Sequence, residues 1–474
     1  MRRASLAGLA LILLAGGYVG LSYFFGRLAE RAVHDQVKAL SDLGINVTID
    51  RYERSLFYSR VALTLDLAEF LTSRMQVPAT PEVMDGLRAL PLEITLRHGP
   101  LVFAPTGLYG YAAMRTDLGP AGARILGHAP EERDISLPLS IRLGKDGTDG
   151  RMTLGAISLE SDNDMPQLSY KGGHLDFESD NAARVMTLRF ESGDFTYANA
   201  SLLISVGPMA FDAALERHGE RTWLGTQEGR IASLHLINAG TSVLESGEWR
   251  FYSGSRLEED PELFGGESRN VIRRLALYKD GREALVADAV LEGSFEHVSI
   301  TAMEAFQSAV NRFAQPTDDI DPDTAQAYLD DLAGVLNMAA AHDPVMHVSE
   351  ISLTHADGKA HFNLDLAFAE GAEIDPDAFP KAVEAIAADG RIEIDQGFLR
   401  AIVRGFLVPD PEDGAAVGNM TASLLVQFTA NGLFRAEGEK LVSDLTLGNG
   451  LFSMNGLPVY DSHALLGNSD IPQE

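Results

Sequence analysis

The sequence predicts an α+β protein in which an N-terminal transmembrane helix precedes a β-rich, mainly antiparallel body with several packed helices in its C-terminal half. Residues 4–26 form an uncharged apolar run. From Gly44 to about Ile300, apolar and polar residues alternate between turn residues, which is the period of a half-buried strand. After Ser299 the spacing of apolar residues becomes helical.

The apolar run is long enough to cross a bilayer. Its 23 residues would span about 34 Å as a helix, against a hydrocarbon core of about 30 Å. Arg2 and Arg3 precede it, which favours an N-in orientation with the body outside. A cleaved signal peptide is the alternative, although its apolar stretch is usually about 7–15 residues long. Apolar residues continue at helical spacing to Leu40, so we expect an anchor and juxtamembrane helix over residues 1–43.

Composition excludes several classes of function. The chain has 38 Lys and Arg against 68 Asp and Glu, a formal net charge of −30. Such a charge repels nucleic acid and argues against electrostatic docking on anionic lipid. The chain contains no cysteine, which removes disulfides, thiolate nucleophiles, cysteine-ligated zinc and iron–sulfur clusters.

Turn residues between the alternating runs indicate antiparallel strands, because parallel strands need long crossovers. The longest alternation covers residues 135–143, and a predicted turn at 98–100 ends an earlier one. The charged stretch 254–270 predicts a loop and a boundary between lobes. We therefore expect a strand-rich lobe over residues 44–265 and a mixed lobe over 266–474.

An acidic tetrapeptide recurs in the first lobe. Residues 160–163 (ESDN) are repeated at 178–181 and echoed at 191–194, each time after a short strand. The repeats indicate either hairpin rungs with Ca²⁺-binding turns or ordinary turn composition, and turn composition is the favoured interpretation.

The second lobe mixes helices and hairpins. A helical stripe covers 303–313, Asp321-Pro322 opens a second helix, and 376–388 forms a third; two less regular helices follow at 398–407 and 419–431. Hairpins are predicted at 345–369, through Asp357-Gly358, and at 441–457.

The best candidates for a metal site are four histidines, His342, His347, His355 and His361. They lie on a predicted helix end and hairpin, from which three could converge, although strand alternation explains their positions without a metal. Asp319, Asp321 and Asp323 resemble the start of a calcium loop, but helix capping explains them better. The sequence contains no nucleophile elbow and no phosphate loop. We therefore assign no catalytic, cofactor-binding or metal-binding residue.

Several short motifs carry a resemblance to a known family. They are residues 49–59 (IDRYERSLFYS), Arg97-His98-Gly99-Pro100, the Asp343-Pro344 entry into a hairpin, and Asn455-Gly456. With the N-terminal apolar run, they resemble the YdgA-like proteins, a bacterial envelope family of undetermined function. The resemblance implies a single-pass inner-membrane anchor and a β-rich periplasmic body, without known catalytic residues.

These observations lead to one favoured function and two alternatives. The favoured function is a non-catalytic protein that binds an envelope component or a protein partner, with lipid in an apolar groove as one form. The first alternative is a metal-dependent hydrolase that uses the histidines from His342 to His361. The second is a purely structural scaffold.

Overall fold

Strands dominate the computed structural model. It describes residues 46–55, 58–66, 90–104, 107–117, 138–143, 147–159, 167–180, 184–219, 222–313, 322–368 and 384–461, with single residues between 27 and 41 and residues 68, 88 and 374. This part of the chain contains 26 strands and, after residue 299, four α-helices and one π-helix. The predicted α+β class with an N-terminal transmembrane helix is therefore wrong. Segments predicted as helix or loop form strands because neighbouring strands pair with them.

No helix in the described part of the chain is long and apolar enough to cross a membrane. The longest, Pro322–Ala340, carries Asp330 and Asp331, and the uncharged helix Gly414–Ala430 has only 17 residues. This finding contradicts the predicted single-pass inner-membrane location with a periplasmic body. The predicted span itself, residues 4–26, lies outside the described residues.

The strands, in chain order, have the following bounds: β1 Asn46–Arg54, β2 Tyr58–Asp66, β3 Leu90–Ala104, β4 Gly107–Asp117, β5 Pro138–Leu143, β6 Gly147–Leu154, β7 Ile157–Leu159, β8 Gln167–Tyr170, β9 Gly173–Asp180, β10 Val185–Ser192, β11 Phe195–Ala198, β12 Leu202–Val206, β13 Met209–Arg217, β14 Trp223–Ile231, β15 Leu234–Asn238, β16 Thr241–Ser246, β17 Trp249–Leu257, β18 Leu263–Lys279, β19 Arg282–Ser299, β20 Val345–His355, β21 Gly358–Phe368, β22 Ile386–Asp395, β23 Arg435–Glu437, β24 Lys440–Gly448, β25 Leu451–Met454 and β26 Leu457–Asp461. The helices are α1 Ile300–Phe313, α2 Pro322–Ala340, α3 Gln396–Ile402, continued by the π-helix Val403–Leu407, and α4 Gly414–Ala430.

The chain divides into two compact units. Unit 1 comprises residues 1–157, 170–193 and 314–316, and unit 2 comprises 158–169, 194–313 and 317–474. The domain boundaries expected near residues 43 and 265 stay predictions. The loop expected over 254–270 is wrong except at 258–262, which connect β17 and β18; the residues on either side pair in register, with Gly254 opposite Glu267.

Unit 1 is an antiparallel sheet in the order β1-β2-β3-β4-β5-β6-β9-β10. Its described core contains Val61, Leu63, Ile94 and Leu96, against which Val33 packs from the helical residues between 27 and 41. The Ser55 N–H donates to the carbonyl of Tyr58 at 2.8 Å, which closes the first hairpin.

The turn predicted at 98–100 is wrong. Strand β3 continues through these residues, and the register of its pairing with β4 shifts after His98.

Unit 2 contains a long antiparallel sheet. Two series of hydrogen-bonded strands meet at β18. One has the order β13-β14-β17-β18, and the other has the order β11-β12-β15-β16-β18. From β18 the sheet continues β19-β20-β21-β22-β24-β25-β26, with β23 also on β24.

The predicted helices mostly form in unit 2. α1, α2, the α3–π segment and α4 match four of the five predicted segments. The third predicted helix is wrong where it is described, because Ile386–Ala388 begins strand β22. Its alanines favour a helix locally, but β21 and β24 pair with this segment on both sides, and such tertiary pairing overrides weak propensity.

Four hairpins in unit 2 close through two-residue turns whose central residues both have positive φ, as type I′ turns require. They are Ala239-Gly240, Asp280-Gly281, Asn449-Gly450 and Asn455-Gly456. Asn and Asp tolerate the left-handed region, whereas alanine is strained there. Ala239, at φ 49°, is therefore the unfavourable choice among these four turns.

We expect Ala239→Asn to raise the free energy of unfolding by about 0.5–1 kcal/mol, because it removes left-handed strain at an exposed turn. Denaturant unfolding measures the change, and Asp280→Ala, the reverse substitution at the matching position, should lower stability similarly. Equal stability of wild type and both variants would contradict the turn assignment.

Candidate functional site

The register of unit 2 sorts side chains onto two faces, because directly opposed residues of antiparallel strands share a face. Leu291 on β19 lies opposite Ile351 on β20, which lies opposite Phe362 on β21 and then Ile392 on β22. A bulge in β20 places one extra residue between Val348 and Ile351, so Val348 and Met346 lie on the same face as Ile351 despite the odd spacing.

One face of β19 to β22 and β24, here called the apolar face, carries no ionisable side chain. Its residues, from the pairing register, are Leu285, Ala287, Ala289, Leu291, Gly293 and Phe295 on β19, Met346, Val348, Ile351 and Leu353 on β20, Ala360, Phe362, Leu364 and Leu366 on β21, Ala388, Gly390, Ile392 and Ile394 on β22, and Leu441, Ser443, Leu445 and Leu447 on β24. Such a face is stable only where something apolar covers it.

The opposite face carries the charges, in cross-strand ion pairs. Lys359 donates to the Glu350 carboxylate at 2.6 Å. Lys440 and Arg391 both donate to Glu393, at 2.7 and 2.8 Å. The Lys359 and Ser352 hydrogen bonds hold the pKa of Glu350 below its usual value, and those from Lys440 and then Arg391 do the same to the pKa of Glu393. This face is therefore a solvated, ion-paired surface.

Helices cover the apolar face at one end. Phe398 and Ala401 of α3 pack with Leu285, and Leu353 and Ala360 pack against this cluster. The following π-helix is held to the β18–β19 turn, since the Lys279 ammonium donates to the carbonyl of Phe406 at 2.5 Å.

A second helical cover lies at the other end of the same face. Ile300 of α1 packs with Phe264, and Phe295 and Met303 join that cluster. Ala333 and Leu336 of α2 pack near Phe368, at the far end of β21. The two covers therefore leave the middle of the face between them.

The uncovered middle is the candidate site. We call the in-register row Leu291, Ile351, Phe362 and Ile392 the apolar strip. Leu291 remains 44% exposed and Ile351 40%, and Met346 on the same face is 49% exposed. Large apolar side chains exposed side by side on adjacent strands are typical of a binding surface, whereas single exposed ones are ordinary.

The row continues beyond β19 as Asn270, Phe251, Gly229 and Phe211, and aromatic rings lie against glycines on this face. A Cβ at Gly229 would overlap the ring of Phe251, and one at Gly266 would lie 2.7 Å from the ring of Phe295. Phe211 stacks on Phe251 with ring centroids 6.1 Å apart. Aromatic side chains are therefore present on this face beyond β19 as well.

The four candidate histidines do not converge. His347 and His355 lie near opposite ends of the 11-residue strand β20, about 25 Å apart along an extended chain. His347 contacts the Asp365 carboxylate at 2.7 Å, and His355 accepts the Asp357 N–H at 3.0 Å. Within the described residues, no group of three or more His, Asp or Glu is placed to hold a metal ion.

The acidic motifs are partly outside the described residues. Asp319, Asp321 and 160–163 lie there, while Asp323 lies in α2. Residues 178–180 and 191–192 belong to β9 and β10, so the expectation that both motifs follow the strands is wrong. Asp180 ends β9, and its carboxylate accepts the N–H groups of Arg184 and Val185 at 2.6 and 3.2 Å. That is the ordinary role of Asp in a turn.

Sequence reasoning missed the apolar strip. The alternation on β19 and β20 indicates which residues share a face of the sheet, but it does not indicate whether that face is covered. Exposure depends on where α1 and α3 dock, and that follows from the tertiary fold.

We expect Glu350→Gln to lower the free energy of unfolding by about 0.5–1 kcal/mol at neutral pH, a value reduced for solvent screening of this partly exposed pair. A carboxylate with a lowered pKa stabilises the fold above its unfolded pKa, near 4.5, and this contribution is lost as pH falls through the folded pKa. Unfolding titrations of wild type and variant should therefore converge in acid. Glu267→Gln on the same face serves as the control, and a difference that persists in acid would contradict the assignment.

We expect Gly229→Ala to lower the free energy of unfolding by about 1–3 kcal/mol, because the new methyl group displaces the Phe251 ring. The double variant Gly229→Ala/Phe251→Leu, which removes the clash, should recover part of the loss in denaturant unfolding. Additive losses in the double variant would show that the ring does not cover the glycine.

Comparison with known proteins identifies a family. A family model described as a bacterial protein of unknown function, DUF945, matches residues 1–460. The search of curated proteins and the search of solved structures both found no match.

Proposed function

Because the chain belongs to the bacterial DUF945 family, whose function is unknown, we propose from its own surface that it is a non-catalytic binding protein. The apolar face of unit 2 holds an apolar component or partner against the apolar strip. The observation that carries this proposal is the in-register exposure of Leu291 and Ile351 between two helical covers.

The chemistry of the face supports binding without catalysis. Proton transfer, nucleophilic attack and metal ligation need side chains that carry acid, base or lone-pair chemistry. From β19 to β24 the apolar face carries one such group, the fully buried Ser443 hydroxyl, with no acid or base on the face beside it. The ionisable groups of these strands point the other way into ion pairs such as Glu350–Lys359.

The energetics of the strip also support binding. An occupant that covered the remaining exposed area of Leu291 and Ile351 would gain roughly 1–2 kcal/mol from each, at about 25 cal/mol per Å². Contributions of this size from adjacent side chains favour an apolar occupant and offset part of the cost of its immobilisation.

A finer family assignment is also a proposal. The motif at residues 49–59, Arg97-His98-Gly99-Pro100 and Asn455-Gly456 resemble the YdgA-like proteins. The described parts of the first motif form the β1–β2 hairpin, and Asn455-Gly456 forms the turn between β25 and β26.

The test is binding of the neutral apolar fluorophore N-phenyl-1-naphthylamine to the purified full chain. We expect saturable binding, weakened about tenfold or more in Leu291→Ser/Ile351→Ser. Val185→Ser and Val426→Ser remove apolar side chains that are 48% and 65% exposed elsewhere, so they should leave the affinity unchanged.

Two results would reject the proposal. One is no saturable binding by the folded wild-type chain, and the other is equal weakening by the strip variant and the controls. Mass spectrometry of organic extracts from the purified chain provides a second readout, in which the strip variant should carry less co-purified apolar material.

A further inference from the structure

Uncharged polar side chains join the apolar face where it passes from β19 to β18. On β18, β17 and β14 the same face presents Asn270, Ser268, Ser253 and Gln227, which we call the polar patch, with the aromatic residues Phe251 and Trp249 beside it on β17. Ser268 lies directly opposite Ser253, and Ser253 opposite Gln227, so these side chains form a cross-strand row.

The polar patch has hydrogen-bonding capacity but no charge. In the described part of the chain, the side chains of Gln227, Ser253 and Ser268 take part in no hydrogen bond. Asn270 accepts a bond from the Trp249 indole N–H at 3.3 Å and keeps its amide N–H groups. Serine hydroxyls donate and accept, and the glutamine amide does both at separate atoms, so this patch matches a ligand that bears hydroxyl groups.

The apolar strip has the length of one acyl chain. It crosses β19 to β22, three strand spacings of about 4.8 Å, or about 14 Å. A bilayer hydrocarbon core of about 30 Å gives each leaflet's chains about 15 Å. The polar patch begins on β18, the next strand after the end of the strip.

We propose that the occupant is a lipid with an acyl chain on the apolar strip and an uncharged, hydroxyl-bearing headgroup on the polar patch. This inference rests on the proposed function, since it names the class of ligand for the same site. The strip from β22 to β19 offers apolar contact for the chain of such a lipid, and the polar patch on β18, β17 and β14 adds uncharged hydrogen-bonding groups among the apolar side chains Ile272, Trp249 and Phe251.

Charge argues against the other headgroups. An anionic headgroup on the polar patch would meet no Arg or Lys on that face, within a chain of net charge −30. A cationic headgroup would find no carboxylate there. Either would lose hydration without a partner, which is costly, whereas hydroxyl groups exchange water for the patch side chains at little cost.

The test uses amphiphiles that share a twelve-carbon chain and differ in headgroup. Monododecanoylglycerol, dodecanoate and dodecyltrimethylammonium, each below its critical micelle concentration, compete with N-phenyl-1-naphthylamine for the full chain. We expect monododecanoylglycerol to displace the fluorophore at an about tenfold lower concentration than either charged amphiphile. The variant Gln227→Met/Ser253→Ala/Ser268→Ala should lose this preference while binding the fluorophore as wild type does, and Thr354→Val on the opposite face should keep it.

The outcomes separate the two proposals. Fluorophore binding with equal displacement by all three amphiphiles, or with dodecanoate preferred, overturns the headgroup inference and leaves the proposed function standing. No fluorophore binding overturns both. Concentration-dependent dimerisation that excludes the fluorophore would identify a second copy as the occupant and would also overturn the inference.

Discussion

The in-register pairing of β19 to β22 and β24 is the constraint on which the rest of unit 2 depends. Side chains alternate strictly along a strand, so a slip of one residue would exchange the two faces. Such a slip would carry Asp288 into the buried position of Ala287, which is 3% exposed, and would move Leu285 out of the core. The cost of burying carboxylates without partners therefore fixes the register, and the Glu350–Lys359 and Glu393–Lys440 pairs reinforce it from the charged face.

The same segregation of side chains determines where helices dock and what they leave open. Phe398 of α3 and Ile300 of α1 each cover an end of an already apolar face. The middle stays open because the covers reach it from opposite ends of the strands. Beyond β19, serine and amide side chains lie among apolar ones on the same face without introducing charge, so hydrogen-bonding groups adjoin the apolar strip. A binding role for unit 2 follows from this arrangement without any catalytic group.

The sequence predicted much of this fold at the level of elements. Alternation located β1, β2 and β20, helical spacing located α1 and α2, and Asn449-Gly450 located a hairpin turn. The predictions failed where local preference competed with pairing: an alanine-rich segment beginning at Ile386 forms β22, and most of the charged segment 254–270 lies in two paired strands with a turn at 258–262. The candidate site was beyond the reach of sequence reasoning, because the exposure of Leu291 depends on helices that are distant in the chain.

The central claim is that the apolar face of unit 2, and not its charged face, receives the ligand. The absence of cysteine permits a direct measurement with single-cysteine variants at the adjacent positions Leu291 and Glu292, each labelled with an environment-sensitive fluorophore and titrated with monododecanoylglycerol. The account predicts a saturable blue shift of the label at position 291 and none at position 292. A shift of equal size at both positions, or at neither, would contradict it.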